Sequence, residues 1–69
     1  MINKKQIINT IKLKFNITDI ELVKIEGFWY WSGEITEKWQ SKCTYYTNIK
    51  NTSLENWIQD FKEKNKNNF

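Results

Sequence analysis

The residues able to do chemistry are few. Cys43 is the single thiol in a chain of 69 residues, and histidine is absent. Without histidine there is no Ser-His-Asp or Cys-His pair, and no side chain that ordinarily exchanges protons near pH 7. A reactive cysteine needs a helix N-terminus or a neighbouring cation to lower its pKa. Cys43 instead lies in a β-like run with Tyr45 and Tyr46, where a small buried residue is expected. Glu34 and Glu37 are close enough in sequence for paired acid–base work, but they lie in a polar connection that reads as solvated charge. Gly27 and Gly33 are the only glycines, and neither belongs to a phosphate-cradling loop or a dinucleotide fingerprint. One thiol with scattered carboxylates makes no zinc or iron–sulfur site. The residues therefore predict no enzyme, no metal and no cofactor.

What remains is aromatic and basic. Four Trp, four Phe and three Tyr are a heavy load for this length, and the formal charge is +3. A chain this small buries only about 60% of the surface its unfolded form exposes. With no possible internal disulfide, the aromatic rings have to supply most of the core. All eleven basic residues are Lys; Arg, Ala and Pro are missing along with His. The absence of Arg disfavours sequence-specific reading of guanine edges. Heavy Ile, Asn and Lys usage also matches an AT-rich coding bias, which weakens the lysine excess as a sign of nucleic-acid binding. The lone cysteine, the lack of a long apolar run and an N-terminus unlike a signal peptide predict a cytoplasmic protein without a membrane span.

These side chains are positioned by elements legible from periodicity. Ile7, Ile8, Ile11 and Phe15 fall on one helical face within residues 3–15, and Asn16 suits a left-handed cap. From Glu21 to Ser32 the period becomes two, with Gly27 interrupting it as either a hairpin turn with Glu26 or a bulge. A polar connection from Gly33 to Ser41 carries Ile35 and Trp39, with a helical turn expected near Thr36–Trp39. A further strand is expected over Lys42–Ile49, with Cys43, Tyr45 and Thr47 on one face and Thr44, Tyr46 and Asn48 on the other. Thr52-Ser53-Leu54-Glu55 reads as a capping box with Thr52 as the cap. Leu54, Trp57, Ile58 and Phe61 then stripe a second helix ending near Lys64. The fold class is α+β: a helix, a two- or three-stranded antiparallel sheet and a helix, both helices covering one sheet face. Residues 1–64 form the single domain, and 65–69 read as a polar frayed tail.

A sheet covered on one face buries alternate residues, so one set of aromatics must face outward. Phe28, Tyr30 and Tyr46, with Trp39 and the lysines Lys24 and Lys42, are the expected contact surface. Such a surface suits a protein partner, a second copy of the chain included. The alternative is a nonspecific nucleic-acid binder using the same aromatics and lysines. Glu21, Glu26, Glu34 and Glu37 dilute the positive field of that region and favour protein.

With three strands, the layout resembles the double-stranded RNA-binding domain. The chain lacks that family's Gly-Pro-x-His loop, and Glu55 stands where the family places phosphate-binding lysines. The segments Phe28–Trp39, Cys43–Ile49 and Thr52–Phe61 occur in a short, His-free, AT-biased α+β chain. In these respects the chain resembles small accessory proteins of phages and mobile elements, anti-CRISPR and other host-defence inhibitors among them. That resemblance implies an inhibitor occupying a surface of a larger host complex.

Overall fold

The computed structural model describes residues 2–66 and has the order helix, strand, strand, helix. Helix α1 spans Lys4–Phe15. Asn3 caps it, its Oδ1 accepting from the Gln6 amide at 2.8 Å. Asn16 closes it in the left-handed region at φ 54°, and the Ile17 amide returns to the Lys12 carbonyl at 3.1 Å. The predicted apolar face is the buried one: Ile7, Ile8 and Ile11 leave solvent, and Phe15 packs beside them.

Strands β1 (Glu21–Ile25) and β2 (Phe28–Ser32) form a two-stranded antiparallel sheet. Glu26 and Gly27 join them with φ of 50° and 91°. Two positive φ values in a two-residue loop define the hairpin turn whose twist matches that of its strands. Gly27 is therefore a turn residue and not a bulge. The register pairs Leu22 with Trp31, Val23 with Tyr30, Lys24 with Trp29 and Ile25 with Phe28. A two-residue turn swaps odd and even positions across the hairpin. Leu22, Lys24, Trp29 and Trp31 thus share the face towards the helices, while Val23, Ile25, Phe28 and Tyr30 share the outer face.

The expected strand over Lys42–Ile49 is not formed as a strand. Its first part runs beside β2, with the Trp31 amide bonded to the Lys42 carbonyl, Thr44 to Trp29, and Trp29 to Tyr46 at 2.9–3.0 Å. A single bridge joins Tyr30 and Cys43. The ladder stops there because the Thr44 hydroxyl competes for it, donating to the Trp29 carbonyl at 2.9 Å and accepting from the Tyr46 amide at 3.0 Å. Tyr45, between them, is forced to φ 62°.

The connection before it tucks in at two points. Gly33 holds φ 137°, and a Cβ there would strike the Asp19 carbonyl. A short 3₁₀ turn over Glu34–Thr36 follows, earlier than the turn expected from sequence. Its buried Thr36 donates its hydroxyl to the Gly33 carbonyl at 2.7 Å, and the Trp39 amide bonds the Thr36 carbonyl at 3.0 Å.

Helix α2 spans Leu54–Lys66, two residues beyond the expected end. Residues 65 and 66 are therefore helical, and the expectation of a frayed tail over 67–69 lies outside the described residues. The cap is Ser53 rather than Thr52: its Oγ accepts from the Asn56 amide at 3.2 Å. Glu55 consequently sits one position too early to close a capping box. Trp57 and Phe61 are buried, flanked by Leu54 and Ile58.

Phe61 is the hub of the core. Its ring meets Phe15 at 4.9 Å, Trp31 at 5.2 Å and Trp39 at 5.2 Å between centroids. Trp31 also meets Trp57 edge-on at 6.2 Å. Such pairs add about 0.5–1.5 kcal/mol each beyond the area they bury, which offsets the small size of the domain. The Trp31 indole donates to Asp60 Oδ2 at 2.8 Å, and Lys64 pairs with Asp60 Oδ1 at 2.7 Å. This polar clamp locks α2 over β2.

Candidate functional site: the outer face of the hairpin

The helices cover only the inner face of the sheet. On the outer face Val23 is 38% exposed, Ile25 49%, Phe28 37% and Tyr45 74%. Tyr30 lies half-buried among them, bridged to Cys43. Phe28 and Tyr45 meet edge-on with centroids 6.2 Å apart, so the patch is continuous across β1, β2 and the segment beside them. Cys43 is buried on this side and stands apart from the main core cluster. Its thiol contact raises the Tyr30 pKa above the ordinary phenol value, helped by the neighbouring Glu26 and Tyr45. At neutral pH the Tyr30 hydroxyl is therefore protonated.

Two of the six residues expected at the surface are on this face, Phe28 and Tyr30. The other four are placed elsewhere. Trp39 is 6% exposed and belongs to the core, because the Gly33–Thr36 turn aims it at Phe61. Tyr46 packs on Trp57 at 4.7 Å, on the inner side of the bulge that Thr44–Tyr46 makes beside β2. Burial there, with Asp60 and Glu63 nearby, raises its pKa. Lys24 lies on the inner face by register, its ammonium 5.8 Å from the Trp29 ring centroid. Lys42 lines a cleft with Asp19, Ser32, Gly33, Glu34 and Glu37. The sequence reading missed Val23 and Ile25, which the two-residue turn brings to the side of Phe28 and Tyr30, and it missed Tyr45. The exposure of Tyr45 follows from the bulge, and the only local signal was Thr44, whose hydroxyl can replace a ladder bond.

The outer face is also distinctive in charge. By position it carries Glu21, with Glu26 in the turn, and no lysine. Its β1 border is open. Trp29 and Trp31 direct their backbone groups to residues 42–46, so Glu21, Val23 and Ile25 are the β1 residues bonded to β2. The backbone groups of Leu22 and Lys24 therefore point away from the sheet. The Leu22 amide is met by the Glu21 carboxylate at 3.1 Å, and those of Lys24 have no backbone partner among the described residues.

Cys43 has no histidine to activate it, and no group of three potential ligands that could hold a metal ion occurs among the described residues. No described helix is long and apolar enough to cross a membrane. Comparison of the chain with protein-family models, with curated proteins and with solved structures finds no match to any of them. The class of molecule is therefore defined by the fold alone: a small α+β domain of chain order helix, strand, strand, helix, with a two-stranded antiparallel sheet.

Proposed function

We propose that this chain is a non-catalytic protein-binding module, and that its contact surface is the outer face of the hairpin. The observation that carries this reading is the continuous apolar patch of Val23, Ile25, Phe28 and Tyr45, left uncovered on a domain short of core. Contiguous exposed aromatics are where interface energy concentrates. Acid at the border and lysine on the far side favour a protein over a nucleic-acid partner at this face. The occupant is an extended apolar segment of another protein. It adds to the open edge of β1 through the Leu22 and Lys24 backbone groups while its alternate side chains lie over Val23 and Ile25. An inhibitor of the kind found in phages and mobile elements would act in this way, by covering a segment its target needs.

The test is selection of a displayed random-peptide library against the wild-type chain, followed by amide exchange on the complex. Enriched peptides with alternating apolar residues that protect the Lys24 amide support the proposal. Peptides that map to another face contradict it, as does a dimer in sedimentation that occupies this edge with a second copy.

A further inference from the structure

A second surface lies across the molecule, at the N-terminus of α1. A groove of about 320 Å³ is lined by Ile2, Asn3, Lys4, Lys24, Trp29 and, from the loop before α2, Thr47–Lys50. Its lysines come from three separate elements: Lys4 from the first turn of α1, Lys24 from β1, and Lys50 from the 3₁₀ turn at Ile49–Asn51. No Asp or Glu lines it, and among the described residues the one ion pair is Lys64 with Asp60, elsewhere.

The remaining polar lining is also donor-biased. Asn3 spends its side-chain oxygen on the Gln6 amide at 2.8 Å, and Asn48 spends its own on the Lys50 amide at 2.9 Å. Each therefore has its NH₂ group left to donate. The first turn of α1 holds no acid, although the helix dipole favours one there and disfavours Lys4 and Lys5. The ammoniums of Lys4 and Lys24 lie 6.0 and 5.8 Å from the Trp29 ring centroid, so two like charges gather at one indole. Local electrostatics that cost stability without an evident structural gain are the mark of a functional site.

We infer that this groove binds a phosphate group, taken through Lys4, Lys24 and Lys50 with Trp29 as its apolar wall. Phosphate fits because it offers several acceptor oxygens to converging donors, and lysine serves it as a point charge. The phosphate can belong to a free anion or to a single-stranded nucleic-acid backbone. In the second case the indole supplies a stacking face.

The experiment is a ¹⁵N NMR titration of the whole chain with inorganic phosphate in one arm and an eight-nucleotide single-stranded oligothymidylate in the other. Saturable shifts of the Trp29 indole and the Lys4, Lys24 and Lys50 amides are expected. Shifts in both arms identify a free-phosphate site, and shifts with the oligonucleotide alone identify the backbone. One neutralised phosphate gives a log–log salt slope of about −0.7 for a single strand. Affinity then falls roughly 2.6-fold between 50 and 200 mM salt on the same relation. The triple variant Lys4→Gln/Lys24→Gln/Lys50→Gln abolishes the shifts while the Trp31 indole peak stays in place. Lys50→Gln alone weakens the phosphate-induced shifts and covers the case of a misfolded triple variant. Lys62→Gln, on α2, changes nothing. No shift in either arm overturns the inference, and so do shifts that survive the lysine substitutions.

Discussion

Replacing Tyr45 with Asn separates a structural role from a contact role at the most exposed aromatic of the outer face. Tyr45 is held at φ 62°, a conformation that costs a residue with a Cβ about 1–2 kcal/mol. Asn visits that region readily, so Tyr45→Asn recovers about 1 kcal/mol. Against this stands the edge contact with Phe28, at 6.2 Å between centroids. With Tyr45 74% exposed, that contact falls at the weak end of aromatic pairs, about 0.5 kcal/mol. The Thr44 hydroxyl bonds that shape the bulge do not involve the Tyr45 side chain and persist. The balance is a gain of about 0.5 kcal/mol, or roughly 2–4 °C in Tm for a domain of this size. Thermal unfolding followed by circular dichroism measures it. A drop in Tm of 4 °C or more would mean that Tyr45 is held in place by packing. The reading of Tyr45 as an exposed contact residue of the outer face would then fail.

Three further outcomes follow from the geometry. Gly33→Ala should cost at least about 2 kcal/mol in chemical denaturation, because it combines positive-φ strain with a collision at the Asp19 carbonyl; a wild-type midpoint would refute the tuck described for this loop. Asp60→Ala should cost about 1–3 kcal/mol by leaving the buried Trp31 indole without its acceptor; a loss under 0.5 kcal/mol, on the order of a typical surface substitution, would remove the clamp from the account. Burial raises the Tyr46 pKa, so above the ordinary phenol range the unfolded chain loses a proton that the folded chain keeps. Stability from this group is complete below that range and declines as pH rises through the folded pKa. Tyr46→Phe should flatten the alkaline decline seen in pH-dependent denaturation, and an unchanged profile would assign the decline to other groups.

The helices were legible because their apolar spacing is regular and each meets a single buried surface. Ile7, Ile8 and Ile11, and Trp57 and Phe61, are buried as their period requires. The hairpin was legible as one of two options at Glu26-Gly27. Side-chain facing was harder to read, because a two-residue turn exchanges parity and moves Lys24 to the side of Trp29. The third strand failed for a reason that periodicity does not carry: the Thr44 hydroxyl shares the Trp29 carbonyl with its own amide and takes the Tyr46 amide, and the chain leaves the ladder at Tyr45. That local event also decides the site, turning Tyr45 out and Tyr46 in. Trp39 was misplaced because its direction depends on a turn anchored by Gly33 and Thr36, whose contacts with Asp19 and the core are tertiary. The cap of α2 moved from Thr52 to Ser53, a one-residue ambiguity of adjacent hydroxyl residues.

The most direct test of the outer face as a protein-contact surface is a three-way affinity capture from a nuclease-treated cell lysate. The baits are the wild type, the outer-face variant Ile25→Thr/Tyr45→Asn, and the groove variant Lys4→Gln/Lys24→Gln, each first shown to be folded. The account predicts a protein retained by the wild type and the groove variant and lost with the outer-face variant. The same proteins on all three baits, or a loss confined to the groove variant, would contradict it.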